Sequence, residues 1–255
     1  MFKSIAKHQF LVEELVKRNF KKKYKRAFLG MLWSVLNPLL QLFVMQLVFS
    51  FFFGRATPHY TIYLFSGLIV FDFFTSSTNQ SMTSLVGNAS IFKSVNVSKY
   101  IFLLAQNIEA WINFALTLGV YFIFCVFDGI IFTWKFLLLI YPILCLLIFN
   151  FGVGMVISVL FVQFKDIQYL YGIFTRLLMY LSAIFYPINI YPNSVQVLFL
   201  MNPIYLYIRY FRKIVIENTI PSISFHLLAA FYALFMLALG IFIYKKYDKQ
   251  LLYYV

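Results

Sequence analysis

The sequence predicts an all-α, polytopic membrane protein. It has six spanning helices, an N-terminal amphipathic helix at the interface, and a proline-bearing external segment between the fifth and sixth spans. Three observations carry this. Hydrophobic residues fill 63% of the 255 positions and charged residues only 11%, against roughly 25% charged in a soluble domain; that is too few to coat a water-facing surface. Apolar runs long enough to cross a bilayer, about twenty residues each, recur along the chain. Finally, Lys17, Arg18, Lys21, Lys22, Lys23, Lys25 and Arg26 stand directly before residues 27–53, which hold no charged residue. Basic residues beside such a run stay cytoplasmic.

The elements follow in order, within one membrane domain covering 1–255. Residues 1–27 form a cytoplasmic interfacial segment. In it Leu11, Val12, Leu15, Val16, Phe20 and Tyr24 recur at helical spacing, and Glu13 and Glu14 precede Lys17 and Arg18 by four residues, the favourable order for ion pairs. An apolar stripe with a basic face predicts a helix in the headgroup layer. The spans are expected at about 29–53, 60–82, 101–126, 136–162, 168–186 and 223–244. The first run is too long and begins too late for a cleavable signal. Pro38 should kink the first span, as spanning helices tolerate. In the second, residues 75–84 read TSSTNQSMTS. Either this is helix turned toward other helices or a water-filled path, or the span ends near Phe74 and a loop follows. Gly152 and Gly154 in the fourth span allow close helix contact. Residues 187–221 carry Pro187, Pro192, Pro203 and Pro221 and are expected outside, partly re-entrant, with 204–215 amphipathic. This topology puts both termini in the cytoplasm. It places 15 of the 21 Lys and Arg residues inside, five outside and Arg176 within the fifth span, the bias that the positive-inside rule requires.

The formal charge of +13 does not point to nucleic acid, because the cations cluster beside apolar runs. No GxxxxGK[ST], GxSxG, HExxH or CxxC occurs. His8, His59 and His226 stand apart, and Cys125 and Cys145 sit in apolar runs, so no catalytic residue, cofactor or metal is expected. What remains is Asp72, Glu109 and Arg176 inside spans. A mid-bilayer charge costs roughly 2.5–3.5 kcal/mol on insertion scales, so each needs a partner or water. Glu109 and Arg176 both lie about 12 Å from the inner ends of their spans at 1.5 Å per residue. They are expected to pair, as a static brace or as part of a path. Tyr169, Tyr171, Tyr180, Tyr186, Tyr191, Tyr205, Tyr207 and Tyr210 gather late in the chain. They are either an interfacial belt or ring faces along a route for a sugar chain.

Four stretches resemble the membrane subunit of type-2 ABC exporters, in the branch that moves O-antigen, capsular polysaccharide or teichoic acid. They are KKKYKRAFLGMLWSVLNPL at 21–39, FKDI at 164–167, FYPINIYP at 185–192 and NPIYLYIRYFR at 202–212. Lys165 stands where the family usually has Arg. The resemblance implies a multi-pass protein of the bacterial cytoplasmic membrane, working as a homodimer with two separate ATPase subunits, its cargo a lipid-linked glycan. It implies ATPase contacts at Asn88, Phe92, Lys93, Lys99, Lys165 and Asp166, attraction of a lipid diphosphate to Lys21, Lys22, Lys25 and Arg26, and a substrate path near Trp33, Asp72, Glu109, Arg176, Tyr180 and Tyr186. Competing readings are a type-2 permease for a drug or lipid, an ATPase-independent flippase or secondary transporter, and a membrane glycosyltransferase. The halves show no internal repeat of the kind many secondary transporters carry, and the loops lack the acidic clusters a transferase would show.

Overall fold

A computed structural model describes residues 9–25, 28–55, 57–89, 91 and 98–247. Among these the chain forms nine α-helices and no strand. Five stretches are long and apolar enough to cross a membrane: Gly30–Gly54, Tyr60–Gly87, Tyr100–Phe127, Trp134–Gln163 and Ile223–Tyr247. Helix α1 is Gln9–Tyr24. The first long stretch is a 3-10 turn, Gly30–Leu32, then α2 (Trp33–Phe49), then a π turn, Ser50–Gly54. Helix α2 runs on through Pro38.

Helix α3 (Tyr60–Gly87) is the centre of the molecule. It packs against α2, against α4 (Tyr100–Phe127) and against α5 (Ile140–Gln163). The sequence left open whether residues 75–84 were helix or loop; they are helix, and α3 extends five residues beyond the expected end at Met82. Small and hydroxyl side chains make this possible. Ser66, Ser77, Thr78, Ser81 and Ser84 are all buried, and each hydroxyl donates to a backbone carbonyl or a neighbouring side chain, which satisfies groups that have no water to turn to. At Gly154 an added Cβ would stand 2.6 Å from Ser81 Oγ, so the glycine lets α5 lie directly on α3. At Gly152 a Cβ would meet Met236 C at 2.5 Å, which seats α5 against α9 (Ile223–Tyr247) in the small-residue manner of membrane helices.

Two departures from expectation follow α5. Helix α6 is only Ile167–Leu181, about 22 Å at 1.5 Å per residue. The span expected to reach 186 therefore loses its last turn: Ala183 takes φ +46° and residues 182–186 are not helical. Beyond them come Ile188–Ile190 as a 3-10 turn, α7 (Asn193–Phe199) and α8 (Pro203–Val215). Asn202 caps α8, its side chain accepting from the amides of Ile204 (2.9 Å) and Tyr205 (3.4 Å), with Pro203 at the first helical position. Most of α8 is buried in the main core, with Ile204, Leu206, Tyr207, Ile208, Tyr210 and Phe211 fully enclosed. The amphipathic pattern at 204–215 thus marks a helix set into the bundle.

The pin that sets it there is Arg212, 2% exposed. Its Nη1 donates to Ala183 O (2.8 Å), Nη2 to Ile184 O (2.9 Å) and Tyr63 O (3.1 Å), and Nε to Tyr63 O and Ser66 Oγ (both 3.3 Å). The guanidinium also lies 3.4 Å from the Tyr63 ring centroid. Arg212 thereby ties α8, the N-terminal half of α3 and the 182–186 turn together. Tyr60 and Tyr63 reinforce the turn, donating to Phe185 O and Tyr186 O, each at 2.8 Å.

The apolar stripe of α1 does not look outward into lipid. Val12 and Leu15 are buried against Ile101, Phe102 and Ala105 of α4. Arg18 donates to Asn88 Oδ1 at the C-cap of α3, so α1 is fastened to two helices.

Candidate functional site

Three helices present polar residues to one shared space, at i, i+3/i+4, i+7 spacing on α2 and α3 and at i, i+4 on α4. From α2 come Ser34, Asn37 and Gln41; from α3, Asp72, Thr75, Ser76 and Asn79; from α4, Asn113 and Thr117. Residues spaced this way share one helix face, so the stripes are a direct consequence of sequence spacing. They enclose a cleft of about 470 Å³, which Trp33, Pro38, Ile69, Phe73, Ala110 and Phe114 complete. Gln41 stands in hydrogen-bonding reach of Asp72. Leu42 is the one buried residue of α2, whereas 19 of the 28 residues of α3 are buried. One wall of the cleft is therefore the outermost long helix and the other is the central one. A polar lining between otherwise apolar helices is what a path for hydrated cargo requires and what lipid contact forbids.

Lys23, from the end of α1, reaches this cleft, and its Nζ lies 3.1 Å from Glu109 Oε1 on α4. The Glu109 side chain is 4% exposed. This corrects the expected Glu109–Arg176 pair. Arg176 sits on an exposed face of α6, and the cation that answers Glu109 belongs to the amphipathic helix.

Behind the cleft α3 is held by a polar seam. Ser77 Oγ donates to Asn107 Oδ1 (2.5 Å), Asn107 Nδ2 donates to Ser81 Oγ (2.8 Å), and Tyr171 Oη donates to Thr78 Oγ1 (2.5 Å). This seam spends the buried face of the TSSTNQSMTS stretch on helix packing and leaves Thr75, Ser76 and Asn79 for the cleft.

The residues anticipated from sequence divide accordingly. Asp72 and Trp33 line the cleft and Glu109 adjoins it through Lys23. Arg176 and Tyr180 lie elsewhere, exposed on α6, and Tyr186, half-buried, donates to Tyr180 O at 2.6 Å. The tyrosines do not form one lining. Tyr171, Tyr205, Tyr207 and Tyr210 are buried in the bundle, where Tyr207 Oη donates to Ala229 O (2.9 Å). Lys21, Lys22 and Lys25 are exposed; Lys165 and Asp166 are exposed in the tight turn between α5 and α6. Asn88 and Lys99 are buried, and the Asn88 amide serves the α1–α3 junction. Arg26, Phe92 and Lys93 lie outside the described residues. The sequence reading passed over Lys23, Asn37, Gln41, Asn113 and Thr117. The repeated i, i+4 spacing of polar residues inside apolar runs was the signal that could have found the last four.

An all-helical bundle with several bilayer-length helices around a polar cleft defines a polytopic membrane transporter. Residues 11–216 match the ABC-2 type transporter family, and the chain belongs to that family. It is 26% identical to an O-antigen export system permease protein, RfbA, of Klebsiella pneumoniae, over 92% of this chain and 91% of the relative. It is 24% identical to RfbA of Myxococcus xanthus over 87% and 86%. To the polysialic acid transport protein KpsM of Escherichia coli it is 25% identical over 94% and 95%.

Proposed function

We propose that this chain is the membrane subunit of an ATP-driven exporter that moves a lipid-linked polysaccharide across the bacterial cytoplasmic membrane. The observation that carries the reading is the cleft whose polar face runs along α3 from Asp72 to Asn79, in a chain whose full-length relatives are named as permeases for O-antigen and polysialic acid. Six passes result when α6 and the 182–186 turn together make the fifth, which leaves both termini in the cytoplasm and the Tyr60 end of α3 outside. The outward apolar faces of α2 and the π turn after it, with Phe43, Leu47 and Phe51, and of α6, with Ile173, Phe174 and Leu177, suit a second copy of the chain. The energy comes from a separate ATPase, for which exposed Lys165 and Asp166 supply a contact on the cytoplasmic side. Lys21 and Lys22, exposed on α1, and exposed Lys25 just after it, with Arg26, draw an anionic lipid diphosphate to the inner leaflet by charge.

The test is deletion and restoration in the host. Loss of the chain strips polymer from the surface and leaves it inside, and recovery requires the chain together with an ATPase whose phosphate loop is intact. Labelling of residue 20 or residue 250 from the exterior, or polymer efflux from vesicles holding this chain alone, would overturn the reading.

A further inference from the structure

We propose that a second cleft, between α7, α8 and the start of α9, holds the phosphate of a membrane lipid, and that this phosphate takes Arg209 from Glu217. The cleft measures about 290 Å³ and shares no residue with the polar cleft of α2, α3 and α4. Just under the roughly 300–1,000 Å³ of small-ligand pockets, it takes a headgroup rather than a whole lipid. Its floor follows from the sequence of α8. Beyond Pro203 at its start, only Arg209 and Lys213 of that helix escape burial. They stand four residues apart, hence on one face, and both line the cleft with Tyr205 one turn earlier. Asn193 of α7 adds an amide donor. The rim is apolar: Val197 lines the cleft, and Leu198, Met201 and Ile223, close to its lining residues in the chain, are all exposed. Cations on the floor of a cleft with an apolar rim match an amphiphile whose anionic head enters while its chains stay in the bilayer.

The charges already present leave room for an anion. Lys213 Nζ lies 4.9 Å from the Phe225 ring centroid, and no carboxylate pairs with it among the described residues. Arg209 Nη1 donates to Glu217 Oε1, which leaves the other N–H groups of the guanidinium open. A cation in the last turn suits the helix dipole; that accounts for Lys213, but Arg209 stands a turn earlier. Two cations thus face one carboxylate, and a phosphate makes good the difference. The Glu217 side chain is 38% exposed, so once displaced it returns to water at little cost. This is the reverse of Lys23, whose departure would leave Glu109 buried and alone. Glu217 lies in the connection from α8 to α9, so lipid binding frees that connection from Arg209. Arg212 fastens α8 to the Tyr63 end of α3; in the exporter reading, on which this placement rests, the cleft therefore opens to the outer leaflet. A phospholipid and the lipid diphosphate of the cargo both bring the required phosphate.

Leu198→Cys places an environment-sensitive fluorophore at the rim of the cleft in the detergent-purified full chain, with any co-purifying ATPase; Cys125 and Cys145 are buried and stay unlabelled. The titrants are dihexanoyl phosphatidylglycerol, farnesyl diphosphate and, as the uncharged control, farnesol. A phosphate-bearing titrant should shift the emission saturably and farnesol should not; the tighter of the two phosphates identifies the source. Arg209→Gln and Lys213→Gln should each weaken binding at least about tenfold, the low end for a hydrogen bond to a charged group. Glu217→Gln should tighten it about two- to fivefold, the worth of an exposed ion pair. Arg209→Gln and Glu217→Gln break the same contact, so a merely structural role would move both the same way. Movement of both in one direction overturns the proposal. So does a farnesol response equal to that of the phosphates, or no saturable shift with either phosphate. Glu217→Gln keeps the test decisive should Arg209→Gln not fold. Binding in detergent does not depend on sidedness: if it fails, the exporter reading still stands or falls on deletion in the host, and if deletion spares the surface polymer, phosphate binding here is untouched.

Discussion

Replacing Arg212 with Met tests what holds the 182–186 turn and α8 in the bundle. Methionine fills much of the volume and keeps the apolar stem, so the loss is confined to the guanidinium. That group donates to Ala183 O, Ile184 O, Tyr63 O and Ser66 Oγ. The Tyr63 carbonyl and Ser66 hydroxyl lie on α3 and keep local helical or side-chain alternatives, and Ala183 O keeps the Tyr63 hydroxyl at 3.4 Å, which leaves Ile184 O as the stranded acceptor. Stranding that one buried acceptor costs about 1–3 kcal/mol, and loss of the stacked Tyr63 ring adds about 1 kcal/mol. Set against this is relief from burying a cation that no carboxylate pairs with among the described residues; its N–H groups are nonetheless well occupied, so the relief is partial. A net loss of about 2 kcal/mol corresponds to roughly 4–8 °C for a chain of this size. The assay is thermal unfolding of the detergent-purified chain, read by loss of the monodisperse peak. Arg212→Lys, which keeps the charge but cannot fork between Ala183 and Ile184, should recover less than half of the shift. A midpoint for Arg212→Met within about 2 °C of the parent, less than 1 kcal/mol on the same scale, would refute the reasoning.

Lys23→Met should destabilise the chain by about 3 kcal/mol because it leaves Glu109 buried without its cation, and adding Glu109→Gln should recover most of the loss; Arg176→Gln, at an exposed site, should change the same midpoint by less than about 0.5 kcal/mol. Gly154→Val should collapse the yield of folded protein, since even a Cβ there meets Ser81 Oγ at 2.6 Å and α3 and α5 must separate; fluorescence-detected gel filtration reads it, and a wild-type profile would count against the close contact.

Much of the bundle was legible because the bilayer imposes simple rules. An uncharged run at 27–53 and the apolar runs after 100, 135 and 222 could only be long helices, and each proved to be one within a few residues. Glycines at 152 and 154 in the midst of large apolar residues signalled close packing, and the space they leave is taken by Met236 and Ser81. The end of α6 was not legible. The sequence continues apolar through Ile184 and Phe185, and nothing local demands a break. The break is made from a distance, by Arg212 collecting the carbonyls of Ala183 and Ile184 from another helix. Composition marked 187–221 as external and partly re-entrant, with 204–215 amphipathic because Arg209, Arg212 and Lys213 stand among tyrosines. It could not show that one of the three cations would be spent inward.

The buried charges share one logic, and it explains why pairing them from sequence failed. Matching Glu109 to Arg176 by depth assumed that a spanning acid must be answered by a spanning base. Lys23 shows the other solution. Val12, Leu15, Asn19 and Lys23 follow one another at three- and four-residue steps along α1, so the lysine continues the face that buries Val12 and Leu15. Phe102, Ala105 and Glu109 make the corresponding face of α4. Two apolar stripes that pack together therefore end in an opposite-charge pair, and the pair sets the register of α1 on α4. Lys21, Lys22 and Lys25 lie off that face and stay exposed. The basic cluster that orients the chain thus also places one of its members at the polar cleft. Any force that lifts α1 must pull the half-exposed Lys23 away from a buried Glu109, which links movement at the membrane surface to the charge balance of the cleft.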